Sequence, residues 1–140
     1  MAVNDLNNEC GFFARFSFRA ANKLMTMQAQ GGKSYPTKMP LKMLQYSADN
    51  GHVSAMSQLG NLLCDCGVGQ VDKRSGLEYV RSAAKGGDAD AQFRLGEFYL
   101  TGHLVSQDLQ RACHWLAQAA DGGHKDAGRR LQQCRQQLGL

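Results

Sequence analysis

Residues 55–90 and 91–126 align without a gap, and nine of the 36 positions are identical: Ala55/Ala91, Leu59/Leu95, Gly60/Gly96, Asp72/Asp108, Ala83/Ala119, Ala84/Ala120, Gly86/Gly122, Gly87/Gly123 and Asp90/Asp126. Tyr79 and Trp115 also correspond, as large aromatics. A fixed period of this size is the mark of a solenoid. Each unit is then one supersecondary element that buries its apolar face only by stacking on the next.

Within a unit the pattern describes two helices. The first carries Ala-x-x-x-Leu-Gly, and Ala91, Leu95 and Phe98 fall on one face. A glycine inside a helix costs ~1 kcal/mol against alanine. Gly60 and Gly96, kept in both copies, therefore predict close approach of a neighbouring helix. Turn sequences follow, CGVGQVD and TGHLVSQD, and Asp72 and Asp108 are expected to cap the next helix by accepting its free N–H groups. The second helix carries Leu77, Val80 and Ala84 in one unit, and Ala112, Trp115, Leu116, Ala119 and Ala120 in the other. Gly86-Gly87 and Gly122-Gly123 are expected to end these helices, because glycine enters the left-handed conformation without a Cβ penalty.

The pattern continues outward in weakened form. Leu41–His52 is similar to a second helix with its terminating glycine, Ala20–Ala29 to a degenerate first helix without the Leu-Gly pair, and Ala127–Leu131 opens a further first helix. The expected organisation is one domain over 1–140. It comprises a capping helix and degenerate half-repeat over 1–39, a half-repeat over 40–54, repeats over 55–90 and 91–126, and a capping helix over 127–140. Upstream, Leu6, Cys10, Phe13, Ala20, Leu24 and Met27 can share a helix face, with Phe12, Phe16 and Phe18 spilling beyond it. That helix is expected to cover the open end of the stack. The alternative is a contact with a second copy, giving a homodimer through the Phe-rich helix.

Composition narrows the class. Hydrophobic residues make up 43% and charged residues 20%, a soluble globular balance rather than a disordered one. The two prolines, Pro36 and Pro40, sit in one short segment and leave the rest free to be helical. No apolar run is long enough to span a membrane. The opening MAVNDLNNECGFFARFSF has no basic n-region, so it is not read as a signal peptide. Five cysteines, an odd number at irregular spacing, argue against a secreted disulfide framework. A cytoplasmic setting is expected, or a periplasmic one had a leader been removed. The net charge of +4 is split between basic ends and a mildly acidic middle. No dense basic stripe with interleaved aromatics occurs, so nucleic acid is not an expected partner.

No phosphate-cradling glycine loop, His-Glu-x-x-His or nucleophile elbow is present. The chain is therefore expected to have no catalytic residues, no cofactor and no metal. Cys64-Asp65-Cys66 is the one suggestive short motif, but it is tighter than the usual Cys-x-x-Cys and has no second cysteine pair nearby. It carries the competing reading, a thiol-based redox or metal-responsive protein using Cys64 and Cys66. His52, His103, His114 and His124 come singly, two of them just after helix-terminating glycines.

The combination of A-x-x-x-L-G, a glycine-containing turn, an Asp cap, an aromatic, Ala-Ala and a terminal glycine resembles the Sel-one-like repeat family, a relative of the tetratricopeptide repeat. Leu63 stands where members usually have tyrosine, and the glycines at Gly67–Gly69 are out of step with Gly102. Some secreted members carry a disulfide between the helices of a unit, a pair absent from both units here. The resemblance implies an all-α fold, a right-handed αα superhelix of about seven helices whose first helices line a concave surface. It also implies a non-enzymatic adaptor or scaffold of the kind found in bacterial assemblies, binding a peptide or partner protein on that face. Residues offset from the Leu-Gly pair would then meet the partner: Ser57, Asn61, Asp90, Glu97, Arg129 and Gln133, with Arg19 and Asn22 in the degenerate unit.

Overall fold

The computed structural model describes residue 19 and residues 38–66 and 70–140. Six helices run through the described residues, with no strand among them: α1 (Lys38–Asp49), α2 (Val53–Cys66), α3 (Gln70–Lys85), α4 (Ala89–Thr101), α5 (Leu109–Asp121) and α6 (Ala127–Gln137). The helices expected upstream of Lys38, including the Phe-rich one and Ala20–Ala29, lie outside the described residues apart from Arg19, which is helical and exposed. The chain divides into two compact units, residues 1–59 and 60–140.

In the first unit, α1 holds Pro40 in its first turn, where the missing N–H would have no helical partner anyway. Leu44, Ser47 and Ala48 form its buried face at helical spacing. The His52 imidazole then starts α2, its Nδ1 accepting from the Ala55 N–H at 3.3 Å. Ala55 and Leu59 continue the buried face along α2.

In the second unit, α3 packs on α4, α4 on α5 and α5 on α6. The core is made by Val80, Ala83 and Ala84 of α3, Leu95 and Phe98 of α4, Ala112, Leu116 and Ala119 of α5, and Ala127 and Cys134 of α6. Small residues facing larger ones bring the helices close. At Gly60 an ideal Cβ would lie 2.7 Å from Val80 Cγ2, and at Gly96 one would lie 2.8 Å from Leu116 Cγ. These two glycines meet the close approach that their repetition predicts. A buried polar tie crosses one seam, where Gln92 Nε2 donates to the Ala84 carbonyl at 3.2 Å and so satisfies a carbonyl at the α3 C-terminus.

Helix ends recur at one repeat position. Gly51, Gly87 and Gly123 all have positive φ, at +84°, +93° and +87°. After Gly87 and Gly123 the next N–H reaches back into the helix, from Asp88 to the Ala83 carbonyl (3.1 Å) and from His124 to the Ala119 carbonyl (2.9 Å). Of each glycine pair only the second takes the left-handed conformation. Nothing lies within 4 Å of a Cβ at these positions, so φ and not space requires glycine.

The caps correct one expectation. Asp108 caps α5, its carboxylate accepting from the Arg111 N–H at 3.0 Å. Asp72 does not cap α3 but lies inside its first turn. The reason is turn length. Residues 67–69 separate α2 from α3, whereas residues 102–108 separate α4 from α5, so α3 starts earlier in the repeat. A further cap, Asp88 on α4, accepts from the Ala91 N–H at 2.9 Å. Asp108→Ala should therefore cost about 1 kcal/mol, while Asp72→Ala, at a first-turn position where an acid meets the helix dipole, should cost no more than about 0.5 kcal/mol. Equal losses in parallel denaturant titrations would contradict this assignment.

Candidate functional site

The first helices of the second unit, the end of α2 with α4 and α6, are joined by charged side chains. On α4 the stripe Asp90, Phe93, Arg94 and Glu97 follows the i, i+3, i+4, i+7 spacing of one helix face. Arg94 reaches back to the Asp65 carboxylate on α2. Arg130 on α6 reaches back to Glu97 on α4 at 3.0 Å, and its other amino group donates to Gln133 Oε1 at 3.1 Å. Arg94 and Arg130 are 36 positions apart, so the same repeat position twice sends a guanidinium to an acid on the preceding first helix.

These pairs are partly exposed, with side-chain exposures of 29% and 55% for Arg94 and Asp65 and 42% and 24% for Arg130 and Glu97. Pairs of that kind add little to stability. Their effect is to fix an alternating charge pattern across three helices. Arg94 is also held from below, its guanidinium 5.3 Å from the centroid of the buried Phe98 ring. Beside this pattern Asn61 Oδ1 is buried and has no hydrogen-bond partner among the described residues. The N-terminal end of α4 is closed by His124, which stacks on Phe93 at 4.0 Å between ring centroids and places Nε2 3.5 Å from Asp90.

The residues expected to meet a partner fall into distinct places. Glu97 and Gln133 are brought together through Arg130, Asn61 lies along the same first-helix series, and Asp90 stands exposed beside His124. Arg129 is 80% exposed and pairs with Asp126 in its own turn at 3.2 Å, not with α4. Ser57, on the first unit's part of α2, is buried at 5% exposure. Arg19 is exposed, and Asn22 lies outside the described residues. Arg94, Arg130 and Asp65 were not anticipated. The 36-residue offset that pairs the glycines also pairs Arg94 with Arg130.

Cys64 is buried and its Sγ approaches the Lys73 carbonyl at 4.0 Å. Burial pushes its thiol pKa up, the Asp65 charge adds to this and Arg94 opposes it. The thiol that first meets an oxidant or a metal must be a reachable thiolate, and at Cys64 burial disfavours that form. The Cys66 side chain lies outside the described residues. Among the described residues no group of three or more His, Cys, Asp or Glu side chains could hold a metal ion, and no helix is long and apolar enough to cross a membrane.

Comparison with known proteins decides the family. The Sel1 repeat family matches residues 53–88 and 89–124, just over half of the chain. The chain belongs to the Sel1 repeat family. Both matched Sel1 repeats begin where a first helix begins, at Val53 and Ala89. A Sel1 repeat protein from Oxalobacter formigenes, known from its crystal structure, is similar over 94% of this chain and 97% of that one, with a TM-score of 0.72 and 23% identity. That likeness shows the fold, an all-α solenoid of helix pairs. No curated protein matches the sequence. Sel1 repeats are generally protein–protein interaction modules, and proteins built from them are typically non-enzymatic adaptors.

Proposed function

We propose that this Sel1 repeat protein is an adaptor that binds a peptide or partner protein along the series of first helices, with Asn61, Arg94, Glu97, Arg130 and Gln133 as its contact residues. The observation that carries this reading is the repeated Arg-to-acid pair across α2, α4 and α6 beside an acceptor, Asn61 Oδ1, without a partner. Asn61 as a residue is only partly buried, so a turn of its amide brings Oδ1 to a ligand N–H, which recovers the free energy that an unpaired polar atom costs. Fixed charges of alternating sign set register and reject mismatched partners. An extended peptide offers N–H groups at regular intervals and suits such a face.

The test is affinity capture from lysate of the source organism. It compares the unaltered chain, the triple variant Asn61→Ala/Glu97→Ala/Arg130→Ala, and Arg129→Ala as a control at the unconnected arginine. The triple variant should weaken capture of the specific partner by roughly tenfold or more, with helicity unchanged by circular dichroism. The control should retain the partner. Full retention by the triple variant would move the binding site off these helices.

A further inference from the structure

Two thiols meet at the seam between α5 and α6. Cys134 is fully buried on α6, and its S–H donates to the Leu109 carbonyl at the start of α5, with sulfur and oxygen 3.2 Å apart. Cys113 lies one turn further along α5 and is half-buried. Helical side chains lean toward the helix N-terminus, which directs Cys113 back toward the Leu109 turn that Cys134 touches. Burial, and then the adjoining Cys113 thiol, push the Cys134 pKa up to about 12. The two cysteines are thus unlike: one is reachable from solvent, the other sealed and protonated. Both belong to packed helices rather than to a loop, and neither takes part in the charged face.

We propose that Cys113 and Cys134 form a disulfide when the protein meets a hydroperoxide. The Cys113 thiolate attacks a peroxide oxygen, the O–O bond breaks, and the sulfur becomes a sulfenic acid as hydroxide leaves. The Cys134 sulfur then attacks the Cys113 sulfur, the S–O bond breaks, and water leaves with the Cys134 proton. With hydrogen peroxide the sum is two thiols oxidised to one disulfide, losing two protons and two electrons, and one peroxide reduced to two waters. The division of roles follows from access: peroxide reaches Cys113 first, and Cys134 waits beside it as the resolving thiol. The bond would fasten α6 to α5. Arg130, which reaches across to Glu97, stands one turn before Cys134 on that helix.

The experiment treats the full chain with hydrogen peroxide, blocks remaining thiols with iodoacetamide and digests with trypsin without reduction. Mass spectrometry should find the peptide 112–125, which contains Cys113, linked to the peptide 131–135, which contains Cys134. The oxidised chain should melt roughly 5 °C higher than the reduced one, and Cys113→Ser should lose that rise. Three results would overturn the proposal: Cys113 recovered as a sulfinic acid with Cys134 alkylated, either cysteine linked only to Cys64 or another thiol, or both cysteines recovered alkylated. An equal rise in melting temperature in the Cys113→Ser variant would overturn it as well.

Discussion

Leu116→Ala is expected to remove about 3–4 kcal/mol of folding free energy, in the upper part of the range for buried leucines. Leu116 is wholly buried near the middle of α5. Directly opposite it stands Gly96, which has no side chain to move into a void. The Leu116 Cγ and Cδ2 lie 2.8 and 3.0 Å from where a Cβ on Gly96 would stand, so α4 meets it with bare backbone. Cavities of that kind collapse poorly, and poor collapse raises the cost. Against a typical total of about 5–15 kcal/mol, this loss would shift the denaturation midpoint far enough to read by circular dichroism. A loss below about 1 kcal/mol would mean that the α4–α5 seam is not close-packed.

A double-mutant cycle sharpens the expectation. Gly96→Ala alone should destabilise, because its methyl meets Leu116, and overpacking of this kind costs about 1–3 kcal/mol. In the Leu116→Ala background the same methyl enters the vacated space and adds helix propensity, worth ~1 kcal/mol, so its sign should invert. Independent sites would instead give additive effects.

Much of this packing was legible in the sequence because it depends on residue types that have few other uses. A glycine in mid-helix, repeated at the same place in two units, has close approach as its main physical reason. The same holds for Gly87 and Gly123, whose positive φ no L residue adopts freely. Asp72 departs from the expected cap because identity at a repeat position does not carry identity of role. The turn before it is shorter, and three residues of difference at a helix start are enough to move an acid from the cap into the first turn.

The charged face was legible only in part. The two aligned repeats end at residue 126, and Arg130, the equivalent of Arg94, stands beyond them. Even with the offset extended, the pairing would not have been apparent. The repeat equivalent of Glu97 is Asn61, so by analogy Arg94 should reach Asn61 as Arg130 reaches Glu97. Asn61 carries no charge to hold a guanidinium. Arg94 turns instead to Asp65, one helical turn further along α2, and Asn61 Oδ1 is left without a partner among the described residues. A choice between two side chains a turn apart is settled by charge and reach in three dimensions, which periodicity does not encode.

Gly60→Ala should be among the most damaging single-methyl changes in the second unit, at about 2–3 kcal/mol. Here the obstruction is backbone as well as side chain. An added Cβ would lie 2.9 Å from both the Gly76 carbonyl oxygen and the Val80 nitrogen, besides 2.7 Å from Val80 Cγ2. A leucine opposite can be cut back, as at Gly96, but a helix backbone cannot, so α2 and α3 must separate along their seam. The helix propensity gained, ~1 kcal/mol, is smaller than this loss and does not reverse its sign. Val80→Ala should accordingly fail to rescue Gly60→Ala, in contrast to the inversion expected at Gly96 and Leu116. Gly128 provides the control for propensity alone. It is exposed on α6 with nothing within 4 Å of an added Cβ, and Gly128→Ala should stabilise by roughly 0.5 kcal/mol. Denaturant titrations of the three variants separate the two causes. If Gly60→Ala behaved like Gly128→Ala, the α2–α3 approach would be looser than the backbone distances require.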